Sequence, residues 1–187
     1  MITQATLGQL GLYGTHLKVL DREDRINRFG YAMSDQAIDQ LILRMLYLPD
    51  VHQLWSASPD GEIRGWGHLA AVEEASYELA VSVEPAWRRR GLADALLKEM
   101  LSWAKFHHVT EVFMHCIDDN LAIRRLAQKH HLETREHSLG EQTASLAIVE
   151  PDFLEMHFHR LREQAAILAE MGRLQGKLSS LWSGRLA

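Results

Sequence analysis

The feature that most constrains the fold is a change of period inside one continuous stretch, YELAVSVEPAWRRRGLADALLKEMLSWAKF, residues 77–106. YELAVSV, from Tyr77 to Val83, is short and apolar and reads as a strand. After Pro85 the apolar residues switch to helical spacing, so LADALLKEMLSWAKF, from Leu92 to Phe106, predicts an amphipathic helix. Three arginines and a glycine, Arg88 to Gly91, sit at the junction.

The rest of the chain alternates in the same way. HLKVL (His16 to Leu20) alternates and predicts a short strand. In DREDRINRFG, Asp21 reads as an N-cap and Gly30 as a stop. SDQAIDQLILRMLYL (Ser34 to Leu48) predicts a helix behind a Ser-Asp cap, ended by Pro49. VHQLWSAS and EIRGWGHLAAVE read as the arms of a hairpin turned at PDG. TEVFMHCID predicts a strand, and NLAIRRLAQKHH a helix capped by Asp119 or Asn120. SLGEQTASLAIVE looks like the end of a further hairpin. The predicted order is β-α-α-β-β-β-α-β-α-β, which points to a mixed α/β sheet with helices on its faces.

Beyond residue 150 the pattern changes, and we expect a domain over 1–150 followed by a helical extension over 151–187. Leu154, Phe158, Leu161, Ala165 and Leu168 fall on one helix face, and the stripe continues less regularly through Met171, Leu174, Leu178 and Leu181. That face either packs on its own domain or pairs with a second subunit as a homodimer. Gly172 and Gly176 argue against a long rigid coil.

With 47% hydrophobic and 24% charged residues, the chain can bury a real core. Cys116 is its single cysteine, so an intrachain disulfide is excluded and a reducing compartment is expected. A basic start followed by an apolar run is absent, as is any apolar stretch of membrane-spanning length, so the expected location is cytoplasmic, away from membranes. A net charge of −5 argues against a nucleic-acid binder.

Against that acidic average, RRRGLADALL concentrates positive charge where a strand hands over to a helix. Helix N-termini carry unpaired N–H groups and the positive end of the dipole. Gly91 admits a ligand close to the backbone, and Ala93 keeps the next approach open. Arg88, Arg89 and Arg90 add charge-assisted donors. The stretch reads as a pyrophosphate site, or as a solvated arginine cluster before an ordinary helix. A Walker loop, G-x-x-x-x-G-K-[ST], and a Rossmann G-x-G-x-x-G are both absent.

In context, the segment resembles the GNAT superfamily of acetyl-CoA-dependent N-acetyltransferases. That family's [QR]-x-x-G-x-[GA] signature reads here Arg88-Arg89-Arg90-Gly91-Leu92-Ala93. Its V-x-V-x-P lead-in is matched by Val81-Ser82-Val83-Glu84-Pro85, and its next helix motif by the N-x-x-I-x-x-L-A-x-K that starts at Asn120. The resemblance covers about residues 6 to 150. It implies a mostly antiparallel mixed sheet flanked by helices, with acetyl-CoA as co-substrate. The CoA pyrophosphate is then expected on the N–H groups of residues 88–93. The pantetheine arm is expected along the backbone of Val81 and Val83, where the sheet splays, with Asn120 touching the arm. E-L-A-V-S-V and Leu126-Ala127 look most like the protein-lysine acetyltransferase branch.

The implied reaction is direct attack by a primary amine, of a protein lysine or a small molecule, in a ternary complex. The resemblance puts the general base at Glu78, which also reads as a salt-bridged strand carboxylate; Glu84 is second choice. A strand N–H near Val81 is expected to stabilise the oxyanion. Ala127 stands where many family members carry a tyrosine that protonates the leaving thiolate. That departure also fits a non-catalytic acyl-CoA sensor.

Other candidates are weaker. The histidines, including His107-His108, His130-His131, His157 and His159, lack metal-ligand spacing, so no metal is expected. Cys116 reads as buried and inert rather than as an acetyl carrier. Arg25 and Arg28 either steer an acidic acceptor or belong to a solvated helix face.

Overall fold

A computed structural model describes residues 1–117, 119–137 and 141–162, together with 164, 165, 168, 171 and 172. The chain divides into two units, residues 1–149 and 150–187.

The first unit is a seven-stranded sheet in the order β1-β2-β3-β4-β5-β7-β6. Its strands are β1 (Ile2–Gln4), β2 (His52–Ala57), β3 (Gly65–Glu73), β4 (Ser76–Val83), β5 (Glu111–Ile117), β6 (Glu133–His137) and β7 (Glu141–Ala147). Every neighbouring pair is antiparallel except β4 with β5, which run parallel. The expected mixed, mostly antiparallel sheet is therefore present. Among the described residues, five α-helices accompany it: α1 (Leu10–Val19), α2 (Arg22–Phe29), α3 (Asp35–Tyr47), α4 (Leu92–Phe106) and α5 (Leu121–Lys129).

Local chemistry sets several boundaries. The Asp21 side chain accepts from the Asp24 N–H at 2.8 Å and opens α2, and Gly30 closes it in the left-handed region at φ 78°. Ser34 caps α3 through the Ala37 N–H. The helix α4 begins and ends as its period predicts.

One expectation fails. His16 to Leu20 is not a strand, because His16 to Val19 form the end of α1. Leu10, Tyr13 and Leu17 bury one helix face, and Leu20 joins them just past its end. The alternation of HLKVL is incidental to that longer period. Two strands escape sequence reading. Ile2–Gln4 is only three residues long, and ETREH has no apolar alternation.

Two cores cover the two faces of the sheet. On one face Leu96, Leu97, Met100 and Ala104 of α4 pack with Trp55, Leu79, Val112 and Met114. On the other, α1 and α3 pack through Tyr13, Leu17, Ile38 and Met45 with Leu54 and Trp66.

The strand β4 stays paired with β3 through Val83, and β5 stays paired with β7 through Ile117. Between them, β4 and β5 are in register only at Ser76–Glu111, Tyr77–Val112 and Glu78–Phe113. Past Glu78 they part, and the sheet opens.

In the second unit a helix runs over 153–162. Its start is a reciprocal capping pair, with Glu155 N–H donating to Asp152 Oδ1 at 2.8 Å and Asp152 N–H donating to Glu155 Oε2 at 3.1 Å. The expected stripe positions Leu174, Leu178 and Leu181 lie outside the described residues. Among the described residues, no helix is long and apolar enough to cross a membrane.

Candidate active site

Where β4 and β5 separate, a cleft of about 880 Å³ opens between α2, the loop before α4, and α5. The register of β3 on β4 fixes what faces it. Ala80 lies opposite His68 and Ser82 opposite Trp66, so Glu78, Ala80 and Ser82 share the sheet face that carries α1 and α3. The backbone groups alternate within the plane of the sheet. The Glu84 N–H donates to the Arg64 carbonyl at 2.9 Å, toward β3. By the alternation of an antiparallel ladder, Val81 and Val83 then turn their N–H and C=O groups away from β3, into the gap. Both valines line the cleft, as does Glu78.

The loop before α4 has its own geometry. Pro85–Trp87 form a 3-10 turn, and the Arg88 N–H closes it onto the Pro85 carbonyl at 3.3 Å. Arg89 and Gly91 adopt left-handed backbone at φ 59° and 82°. Such turns aim successive N–H groups into one concavity. Within α4, Ala95 donates to the Gly91 carbonyl, and the earlier Leu92 and Ala93 N–H groups lie in the unpaired first turn. Among the described residues, no acceptor meets the N–H groups of Arg89, Arg90 or Gly91. A Cβ built on Gly91 would meet nothing within 4 Å, so the concavity is open on that side.

The three arginines have different fates. The Arg88 Nε donates to the Val83 carbonyl at 3.1 Å, and its Nη2 pairs with Asp24 at 2.5 Å. Its N–H and guanidinium are thus both engaged within the protein, and the residue also lines the cleft. Arg89 lines the cleft. Arg90 stacks over the Trp87 ring, 4.6 Å from its centroid, and is not among the cleft residues. Leu92, Ala93 and Asn120 do line it. Asn120 caps α5, its Oδ1 accepting from the Ile123 N–H at 3.2 Å, which leaves its amide donors for a ligand.

Asp94, in the first turn of α4, accepts from His130 at 2.8 Å and pairs with Lys129 at 2.9 Å and Lys98 at 3.1 Å. The Lys129 hydrogen bond holds its carboxyl well below the usual carboxylate range, helped by His130 and Lys98 and opposed by burial. This cluster ties α4 to α5 and matches the Asp94 charge with lysines beside the helix N-terminus.

The Glu78 side chain is half-buried in the cleft, and among the described residues none forms a hydrogen bond or ion pair with it. Glu84, the second choice for a base, pairs with Arg64 at 3.3 Å and is not among the cleft residues. Cys116 is 2% exposed, and burial pushes its thiol up, so it stays protonated at neutral pH. Ala127 is buried in the core of α5 and offers no proton. Among the described residues, no group of three His, Cys, Asp or Glu side chains is arranged to hold a metal ion.

Arg25 is structural: it donates to the carbonyls of Lys18, Leu20 and Met33 and pairs with Asp35. Arg28 lines the cleft and donates through Nη2 to the Tyr13 hydroxyl and to His68 Nδ1, each at 3.1 Å. Behind it, His68 Nε2 meets His52 Nδ1 at 3.0 Å, and His16 Nε2 meets Ser82 Oγ at 2.9 Å. Sequence reasoning missed this network, because Tyr13, Arg28, His52 and His68 come from four separate elements or loops.

The family model described as "Acetyltransferase (GNAT) family" matches residues 19–132. Comparison with curated proteins returned no match. Among solved structures, the chain is similar to a ribosomal-protein-alanine N-acetyltransferase from Brucella melitensis, at TM-score 0.61 and 16% identity over 79% of this chain and 99% of that one. It is also similar to the GNAT domain of S. lividans PAT, at TM-score 0.67 and 14% identity over 79% and 89%. A third is a spermidine N-acetyltransferase from Vibrio cholerae, solved with CoA and spermine, at TM-score 0.65 and 11% identity over 79% and 94%. At these identities the likeness concerns the fold alone.

Proposed function

The chain belongs to the acetyltransferase (GNAT) family, and from that premise we propose that it transfers the acetyl group of acetyl-CoA to a primary amine, with Glu78 as general base. The observation that carries this reading is the parting of β4 from β5 after Glu78. It leaves the Val81 and Val83 backbone groups facing a cleft that has Glu78 on one wall and the unpaired N-terminus of α4 on another.

Acetyl-CoA supplies the acyl group as an activated thioester. The N–H groups of residues 89–93 would hold its pyrophosphate, with the Arg89 side chain adding charge. Val81 and Val83 would pair with the amide-bearing arm as an added strand edge, and the Asn120 amide would donate to the same arm. An amine with a pKa of about 10.4 is mostly protonated at neutral pH, so attack needs a base. Glu78 takes that proton, directly or through one water. As the C–N bond forms, the Val81 N–H donates to the developing oxyanion; the C–S bond then breaks, CoA leaves as its thiolate, and the second proton of the new amide nitrogen passes through solvent to that thiolate. Cys116 takes no part: its thiol stays protonated, which favours direct attack over a covalent acetyl-enzyme.

The fold leaves the acceptor open, because one scaffold hosts many acceptors. E-L-A-V-S-V and Leu126-Ala127 resemble the protein-lysine branch, but that resemblance does not settle the substrate. Ala127, in place of a proton-donating tyrosine, favours a second reading, a non-catalytic acyl-CoA module. The unpaired Glu78 carboxylate favours catalysis.

Thermal unfolding beside acetyl-CoA, CoA, ATP and NAD tests the binding step. A ligand at 100 times its Kd stabilises the native state by about 2.7 kcal/mol, which for a chain of this size raises Tm by roughly 5–10 °C. Acetyl-CoA and CoA should produce that shift and NAD should not. If millimolar acetyl-CoA leaves Tm unmoved, the likeness to the family is one of fold only.

A further inference from the structure

Among the described residues that line the cleft, Arg28 and Glu78 carry opposite charges and neither has an ion-pair partner. Arg25, Arg64 and Arg88 each pair with at least one carboxylate. Arg28 pairs with none among the described residues, although it lines the cleft at the end of α2. The acidic residue one turn before it, Asp24, is taken by Arg88. Glu78 lines the same cleft, and it does not form an ion pair with Arg28 either.

The surroundings of Arg28 hold it in place without neutralising it. Its Nη2 donates to the Tyr13 hydroxyl and to His68 Nδ1. A guanidinium only donates, so His68 Nδ1 must accept and its proton lies on Nε2, facing His52 Nδ1 at 3.0 Å. Burial, reinforced by Arg28 and His52, keeps His68 well below its usual range and therefore neutral. Burial, with Arg28, lowers His16 to about 4. The cluster thus carries one positive charge at neutral pH, on Arg28. The remaining donors, Nε and Nη1, meet no acceptor among the described residues. A half-buried cation without a counter-ion favours an anionic ligand group.

We propose that Arg28 recognises a carboxylate on the acceptor, which makes the acceptor a small amino carboxylate rather than a polyamine. The acceptor amine lies at Glu78 and its carboxylate at Arg28, each charge of the ligand meeting the opposite charge across the cleft. Arg28 sets specificity and Tyr13 and His68 position it. This assignment rests on the acetyl-transfer reading above.

The test is an acceptor panel in which free amino acids are compared with their carboxamides and with the decarboxylated amines, including spermidine. Acetyl-CoA affinity is measured in parallel by calorimetry. The carboxylate member of the preferred pair should have at least about 10-fold higher kcat/KM, because a site built around a polar group rejects analogues that lack it. In Arg28→Met that preference should collapse to within about 3-fold, through a rise in KM with little change in kcat. The preference is a ratio within one protein, so it is read even from a variant with reduced folded fraction, and the wild-type panel stands without the variant. Equal or better turnover of amides or polyamines overturns the proposal, as does failure of every amino carboxylate while acetyl-CoA still binds. Loss of acetyl-CoA binding in the wild type instead overturns the reading of the cleft on which the proposal rests.

Discussion

Glu78→Gln should lower kcat by roughly 10²- to 10⁴-fold, the usual worth of a positioned general base, while the Kd for acetyl-CoA stays unchanged. Gln keeps the shape of the side chain and cannot take a proton from an amine. Glu78 has no partner among the described residues, so the replacement breaks no network and should move stability by less than about 0.5 kcal/mol. The outcome is therefore a clean separation of chemistry from binding. Single-turnover rates with saturating amine, set beside calorimetric titration of acetyl-CoA, measure both. A variant that acetylates as fast as the wild type would remove Glu78 from the mechanism. Binding without turnover in the wild type itself would favour the sensor reading that Ala127 suggests.

The second large effect belongs to Gly91. Its φ of 82° is a conformation that Asn and Asp tolerate better than other residues with a side chain, and a Cβ there would touch nothing within 4 Å. Gly91→Asn and Gly91→Asp should therefore both fold, with similar crowding of the concavity. They differ in charge. A carboxylate at the start of α4 is favourable to the unliganded helix, since it faces the positive end of the dipole. The same carboxylate repels a pyrophosphate held by the neighbouring N–H groups. We expect acetyl-CoA to bind the Asp variant at least about 10-fold more weakly than the Asn variant, a difference of about 1.4 kcal/mol. The gap should narrow as salt screens the repulsion. Equal affinities in the two variants would mean that no phosphate lies against Gly91.

The strand–arginine–helix junction was legible because each part declares itself locally. Pro85 stops a strand, Gly91 supplies a left-handed residue, and Leu92 to Phe106 keep one period for the whole of α4. The cleft position of Val81, Val83 and Asn120 follows from family resemblance and is where the described geometry puts them. What was not legible depended on pairing between distant segments. Arg88, Arg89 and Arg90 look equivalent in sequence. Only the placement of Asp24 and Trp87 distinguishes them, pairing Arg88 with a carboxylate at the cleft and stacking Arg90 on a ring outside it. His16 to Leu20 were misread because a five-residue window shows alternation, whereas the burial of Leu10, Tyr13 and Leu17 shows a helix face. Arg28 and His68 lie 40 positions apart and meet only when α2 folds over β3.

Amide hydrogen exchange, resolved to single residues, with and without acetyl-CoA tests the central claim most directly. The claim is that the open edge of β4 and the unpaired turn before α4 form one binding site for acetyl-CoA. Added ligand should slow exchange at Val81 and Val83 and at residues 89–93, and leave the already paired Glu84 N–H little changed. Protection confined to other parts of the chain, or absent at a saturating concentration, would contradict the account.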